Sequence, residues 1–312
     1  MKTRTATPRD GLDEALSLLA AGEPVALPTE TVYGLAADAL NPAACAKIFE
    51  AKDRPLSDPL IVHLPSADWL PRIARPTPLA DALAEKFWPG PLTLVLPRNP
   101  EVPDIVTAGQ ETVAIRQSAH PDFALVASRF GRPLAAPSAN RFGRISPTTA
   151  AHVASELGGR IPLILDGGPC SHGIESTIVL VRPGSLQILR EGPVTASDLA
   201  AFAPVESSSA AGIATPGSLK SHYAPRTPLT IEQNPLPLGP RDGLLAWSQN
   251  PPGFLKTEFL SPSLDLREAA ANLYGAMRRL DEAGLDRIAA EPVPSTGIGA
   301  AIMERLRKAA AK

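Results

Sequence analysis

The stretch Pro28-Thr29-Glu30-Thr31-Val32-Tyr33-Gly34-Leu35, with Lys52-Asp53-Arg54-Pro55 about twenty residues on, decides how this chain is read. A short apolar strand candidate, Val25-Ala26-Leu27, runs directly into hydroxyls, a carboxylate and a phenol. Two cations then sit in a loop ahead of the next apolar run, Leu60-Ile61-Val62. Polar groups at strand ends are held by a rigid scaffold yet stay open to solvent, where small-molecule chemistry tends to sit. Taken alone, the pattern fits a threonine-capped turn and a solvated Lys52/Arg54 pair equally well.

Three later clusters favour a binding loop. Thr112-Val113-Ala114-Ile115-Arg116 reads as a strand that delivers a guanidinium, a fork of donors suited to carboxylate or phosphate. Ala135-Ala136-Pro137-Ser138-Ala139-Asn140 is followed by Arg141, Gly143, Arg144 and Ser146, and Pro147-Thr148 opens a helix. Small residues admit an anion close to the backbone, and helix N-termini favour negative charge. The fourth cluster, Asp166 to Thr177, is a glycine-dense loop ending in Glu175-Ser176-Thr177, with Arg190 closing the next apolar run. No P-loop pattern occurs, so a nucleotide cradle would be assembled from separated pieces. Lys, Arg, Ser, Thr and Asn without a His/Cys metal cluster or hydrolytic triad fit phosphoryl or nucleotidyl transfer, which depends on positioning and charge neutralisation.

The 312 residues predict two domains. Thirty basic against 32 acidic residues leave a formal charge of −2, so no global basic field announces nucleic-acid binding. Two cysteines exclude a disulfide scaffold: Cys45 reads as a buried hydrophobe, and Cys170 has no carboxylate or second histidine at a recognisable motif spacing. The start, Met-Lys-Thr-Arg-Thr, lacks a signal-peptide core, no run approaches a membrane span, and the expectation is a cytoplasmic protein without membrane contact.

Residues 1–203 alternate strand and helix patterns and predict an α/β (α+β) domain with a substantial sheet. Strands are expected at Leu60–Leu64, Leu92–Leu96, Thr112–Ile115, Leu134–Ala136, Leu163–Leu165 and Thr177–Val181. Helices are expected over Asp10–Ala21, from Asn41-Pro42, and over Leu79–Phe87, Asp122–Phe130 and Thr148–Leu157. Residues 204–228 have linker composition but end in Lys220-Ser221-His222-Tyr223-Ala224-Pro225, which is more chemistry than a tether needs. Residues 229–312 predict a smaller three-layer α/β domain, with helices over Leu264–Ala283 and Ala300–Ala311. Gly297-Ile298-Gly299 is part of a dinucleotide fingerprint whose remainder is absent, and reads as a helix entry.

The ordered motifs Pro28 to Leu35, Lys52-Asp53-Arg54-Pro55, Pro59-Leu60-Ile61-Val62-His63, Trp88-Pro89-Gly90-Pro91-Leu92-Thr93, Ala114-Ile115-Arg116, Pro137-Ser138-Ala139-Asn140 and Glu175-Ser176-Thr177 resemble the YrdC-type threonylcarbamoyl-AMP synthases. The linker end resembles that of the longer two-domain Sua form, whose C-terminal domain is Rossmann-like. The resemblance implies synthesis of threonylcarbamoyl-adenylate and pyrophosphate from L-threonine, bicarbonate or CO₂, and ATP, with Mg²⁺ carried by the ATP phosphates rather than by fixed protein ligands. It further implies a partner transferase complex that delivers the group to tRNA adenosine, and at most weak tRNA contact by this chain. By motif, Thr31, His63, Arg116, Ala136 and Ser176 would surround threonine. Lys52, Arg54, Asp58, Thr112, Ser138, Asn140, Ser146, Arg190 and Tyr223 would face ATP, Lys52 and Arg54 serving catalysis by compensating phosphate charge. Ser218 and Ser221 depart from the family's linker, and Asp58 stands where relatives often carry asparagine. Competing expectations are an RNA-binding module and a carbamoyl-transferring protein of the hydrogenase-maturation type.

Overall fold

Short apolar runs, separated by capped helices, pair into one eleven-stranded mixed sheet. The computed structural model describes residues 2–206, 215–217 and 222–311. In chain order the strands are β1 (Arg4–Ala6), β2 (Val25–Leu27), β3 (Gly34–Asp38), β4 (Ile61–His63), β5 (Leu92–Pro97), β6 (Thr112–Arg116), β7 (Leu134–Ala135), β8 (Leu163–Leu165), β9 (Thr177–Arg182), β10 (Ser185–Arg190) and β11 (Val205–Glu206). They lie in the order β1-β8-β2-β3-β7-β4-β6-β5-β9-β10-β11.

The expected strands are present with ends shifted by a residue or two, whereas β1 and β3 escaped the sequence pattern. Gly-Leu-Ala-Ala-Asp in β3 has little strand propensity. It is a strand because both its edges are paired, to β2 and to β7, and all five residues are buried. The expected helices are also found, and those of the first unit are opened by polar caps. Asn41 accepts from the backbone N–H groups of Ala43 and Ala44 at the head of Pro42–Lys52, and Thr7 and Thr149 cap Pro8–Ala20 and Ala150–Leu157.

Two pairings place the chemistry. Parallel β4 and β6 run with His63 opposite Arg116, so both side chains emerge at the same carboxyl end. Parallel β5 and β9 set Leu92 beside Thr177, which brings Ser176 to the same region. A bridge between Gly34 and Ser138 folds the small-residue loop over that end, and a side chain at Gly34 would press on Ala136 at 3.2 Å.

The C-terminal sheet is parallel, in the order β12-β15-β13-β14, from β12 (Leu229–Ile231), β13 (Asp242–Ala246), β14 (Lys256–Phe259) and β15 (Arg287–Ala290). Helices Leu266–Asp281 and Ile298–Ala310 share one core with Leu245, Ile288 and Ala290, while Leu244, Ala246 and Ala289 on the opposite face pack with Phe254. Both helices therefore lie on one face, giving two layers rather than the expected three. Gly297, with φ +54°, precedes the last helix and serves as its entry. Strand β11 carries the large sheet into the segment expected to be linker. The expected departure at Ser218 and Ser221 lies outside the described residues. No helix among the described residues is long and apolar enough to cross a membrane.

Candidate active site

The opening stretch is a capped turn and a binding loop at once. Thr29 Oγ1 accepts from the N–H groups of Thr31 and Val32 at 3.1 and 3.2 Å and donates to the Val32 carbonyl at 2.6 Å, closing the turn between β2 and β3. It also pairs with Thr31 Oγ1 at 2.9 Å, and Thr31 in turn accepts from Arg116 Nη1 at 2.9 Å. Arg116 further donates through Nε to the Gly90 carbonyl at 3.2 Å. Its Nη2 stands 2.5 Å from Glu30 Oε1 in a buried ion pair. Burial opposes ionisation of Glu30, but Arg116 and the Ser118 hydroxyl outweigh it and hold the carboxyl at about 2. Glu30 is thus a fixed anion that fixes Arg116, a role the sequence pattern did not disclose.

A narrow cavity, with about 40 Å³ of free space between its walls, opens from this network. Its wall includes Thr31, His63, Arg116, Ala136 and Ser176, all expected on the threonine side, together with Arg54, Ser138, Arg190 and Tyr223, expected on the ATP side. Burial, then Arg116, push His63 down to about 3, so it is a neutral imidazole packed on Phe123 at 4.8 Å. Its Nδ1, His222 Nδ1 and Tyr223 Oη are buried cavity-wall atoms without a hydrogen-bond partner among the described residues. Such atoms are uncommon and mark positions where a ligand can bond.

Five expected contacts, Lys52, Asp58, Thr112, Asn140 and Ser146, are not part of the wall. Lys52 is buried, and its Nζ donates to the carbonyls of Ser138 and Asn140, each at 2.5 Å. Its ammonium pins the small-residue loop instead of facing the cavity, and burial followed by Arg54 holds its pKa well below the usual lysine range. Asn140 donates to the carbonyls of Arg141 and Arg144 and keeps Oδ1 without a partner among the described residues. Ser146 donates to Glu175 at 2.6 Å. Asp58, an acid where relatives often carry asparagine, is offset by Arg54 Nη2 at 3.0 Å, while Arg54 also donates to the Asp58 and Pro59 carbonyls. Thr112 shares a strand face with Ala114 and Arg116 but lies roughly 13 Å along β6 from Arg116, outside the cavity wall. Cys170 is buried with its thiol pushed up to about 12 by desolvation, an inert position.

The other end of the cavity is closed by the segment between the two units. Pro216, Gly217, His222 and Tyr223 line it, and Tyr223 adopts φ +60° with its ring almost wholly buried. Arg190 donates to Ser176 through its carbonyl and hydroxyl, each at 3.0 Å, and to the Pro216 carbonyl at 3.2 Å. Gly217 is required here, because a side chain would collide with Tyr223 Oη. Glu175, also in the wall, accepts from Ser146, from Tyr274 at 2.9 Å and from Arg305 at 3.1 Å, the last two belonging to the C-terminal unit. Nothing in sequence spacing links these residues.

A guanidinium held among Thr31, Gly90 and Glu30 at one end, with Arg54, Arg190 and Tyr223 at the other, lines one cation-rich cavity in an α/β protein. The Sua5_yciO_yrdC family model, described as telomere recombination, matches residues 17–192, and the model for the threonylcarbamoyl-AMP synthase C-terminal domain matches residues 193–311. A threonylcarbamoyl-AMP synthase of Bacillus subtilis is 42% identical, with 95% of this chain and 92% of that protein covered. The crystal structure of Pyrococcus abyssi Sua5 complexed with L-threonine superposes with a TM-score of 0.88 at 35% identity, covering 99% of this chain and 97% of the other. A variant of that protein, with one histidine and one tyrosine replaced by alanine, gives 0.90 at 34% identity, covering 99% and 96%. The chain belongs to the threonylcarbamoyl-AMP synthase family.

Proposed function

We infer that this chain is an L-threonylcarbamoyladenylate synthase, joining L-threonine, bicarbonate or CO₂, and ATP with release of pyrophosphate, and of water when bicarbonate is the source. The observation that carries the reading is the single cavity that joins the Thr31–Arg116 end to the Arg54–Arg190 end under Tyr223. In this reading Arg116 forks onto the threonine carboxylate, with Thr31, His63, Ala136 and Ser176 around the amino acid. The threonine amine attacks CO₂ and loses a proton to give a carbamate. A carbamate oxygen then attacks the α-phosphorus, and the bond to pyrophosphate breaks. The chain needs no side-chain nucleophile, so its contribution is to hold carbamate and phosphate in line and to meet developing charge with Arg54 and Arg190.

Ser138 and Tyr223 border the nucleotide in this reading, Asn140 and Ser146 support that wall from behind, and Lys52 holds the loop that carries Ser138 and Asn140. Asp58 sets the position of Arg54. Thr112, outside the cavity wall, has no part in this reading. In this reading Mg²⁺ would arrive with ATP and neutralise phosphate charge, while the buried Asp58 carboxylate stays paired with Arg54 at 3.0 Å. The product is an activated carbamate whose natural acceptor is a tRNA adenosine, delivered by a separate transferase. The test is formation of the adenylate from labelled ATP. Product that requires both threonine and bicarbonate is expected, and activity indifferent to threonine would refute the reading.

A further inference from the structure

Glu175 is the acidic side chain in the cavity wall, and it sits beside Ser176 and Arg190. An anion there would repel a triphosphate unless something cancels it. Arg190 contributes, with three of its five N–H donors already given to Ser176 and Pro216. The group that meets the carboxylate directly is Arg305 from the last helix, fully buried, with Nε 3.1 Å from Glu175 Oε2. Tyr274 and Ser146 occupy the remaining acceptor positions of Glu175. Arg305 is itself fixed by the Glu191 carbonyl at 2.7 Å and Glu304 at 2.9 Å, and its guanidinium lies 5.5 Å from the centroid of the Tyr223 ring. Tyr223 in turn stacks on Tyr274 at 5.8 Å.

We propose that Arg305 is a positioning residue for the nucleotide, which neutralises Glu175 in the cavity wall so that the phosphates are not repelled. The C-terminal unit thereby completes the charge balance of a site built mostly by the other unit. Breaking a buried ion pair by removing one partner leaves the other charge uncompensated, whereas removing both charges does not. That asymmetry separates an electrostatic role from a packing role. The proposal rests on the nucleotide occupying the Arg54–Arg190 end of the cavity.

The experiment is calorimetry of the intact chain with ATP and, separately, with L-threonine. Arg305→Met keeps most of the volume and loses the charge, and should weaken ATP binding roughly 30-fold while threonine affinity stays within about threefold. The double variant Glu175→Gln/Arg305→Met should regain most of the lost ATP affinity. Equal loss of ATP binding in the single and double variants, or joint loss of ATP and threonine, overturns the proposal. Glu175→Gln alone decides the matter even if Arg305→Met does not fold: it should bind ATP at least as tightly as the wild type, and weaker binding overturns the proposal. A wild-type chain that binds no ATP overturns the nucleotide reading and this proposal with it. Normal ATP binding by both wild type and Arg305→Met overturns this proposal alone.

Discussion

At one end of the cavity Thr29, Thr31, Glu30, Ser118 and Arg116 bond one another, all within the unit built on the large sheet. At the other end Arg190 and Glu175 from that unit meet Pro216 and Tyr223 from the connecting segment, and Tyr274 and Arg305 from the C-terminal helices. The first network closes on itself and holds its shape without help. The second exists only while three parts of the chain stay together, held by a core that Val32, Ile145, Ile174 and Tyr223 share with the C-terminal helices. On the proposed reading, the self-contained network would serve amino-acid recognition and the three-part end would serve the nucleotide.

Acid should expose the strength of each end. Glu30 and Glu175 both ionise near pH 2 in the folded chain, against about 4.5 in an ordinary glutamate. Each therefore contributes stability that is complete above pH 4.5 and lost as pH falls toward 2, about 3 kcal/mol apiece. His63 and His222, pushed down to about 3 chiefly by burial, begin the loss earlier, as pH drops below 6.5. Urea midpoints measured from about pH 7 to about pH 3 should fall continuously, and Glu30→Gln should remove one carboxylate's share while leaving ATP affinity intact.

Lys52→Met attacks the wall common to both ends. It strands the carbonyls of Ser138 and Asn140 in a buried position and should cost roughly 2–4 kcal/mol in denaturant unfolding. Both substrates should then bind more weakly, which distinguishes a shared wall from a phosphate-only lysine. Tyr223→Ala removes the lid ring and should weaken ATP binding roughly tenfold, with threonine binding changed little. Tyr223→Phe should cost less in the same titration, roughly threefold. It keeps the packing of the ring and forfeits only the bond that the hydroxyl can offer a ligand.

Much of this was legible where local chemistry carries the signal. Thr112–Arg116 and Thr177–Arg182 advertise themselves by β-branched content, and Asn41-Pro42 announces a helix start. The expected contacts Thr31, His63, Arg116, Ser138, Ser176 and Tyr223 converge because each sits at a strand end or in a bend that the sheet gathers to one place. What escaped is set by tertiary context. Strand β3 is made of small residues held by neighbours on both sides, and Lys52 turned from ligand contact to internal brace because the 138–140 loop lies directly over it. Tyr274 and Arg305 lie 99 and 130 positions from Glu175, a separation at which periodicity carries no information.

The most direct measurement of the difference between the two ends is calorimetry of Arg116→Ala beside Tyr223→Ala, each titrated with L-threonine and with ATP. Arg116→Ala should lose roughly 100-fold in threonine affinity and keep ATP within about threefold, with Tyr223→Ala showing the reverse preference. Equal losses of both ligands in both variants would contradict a rigid amino-acid end and a separately closed nucleotide end.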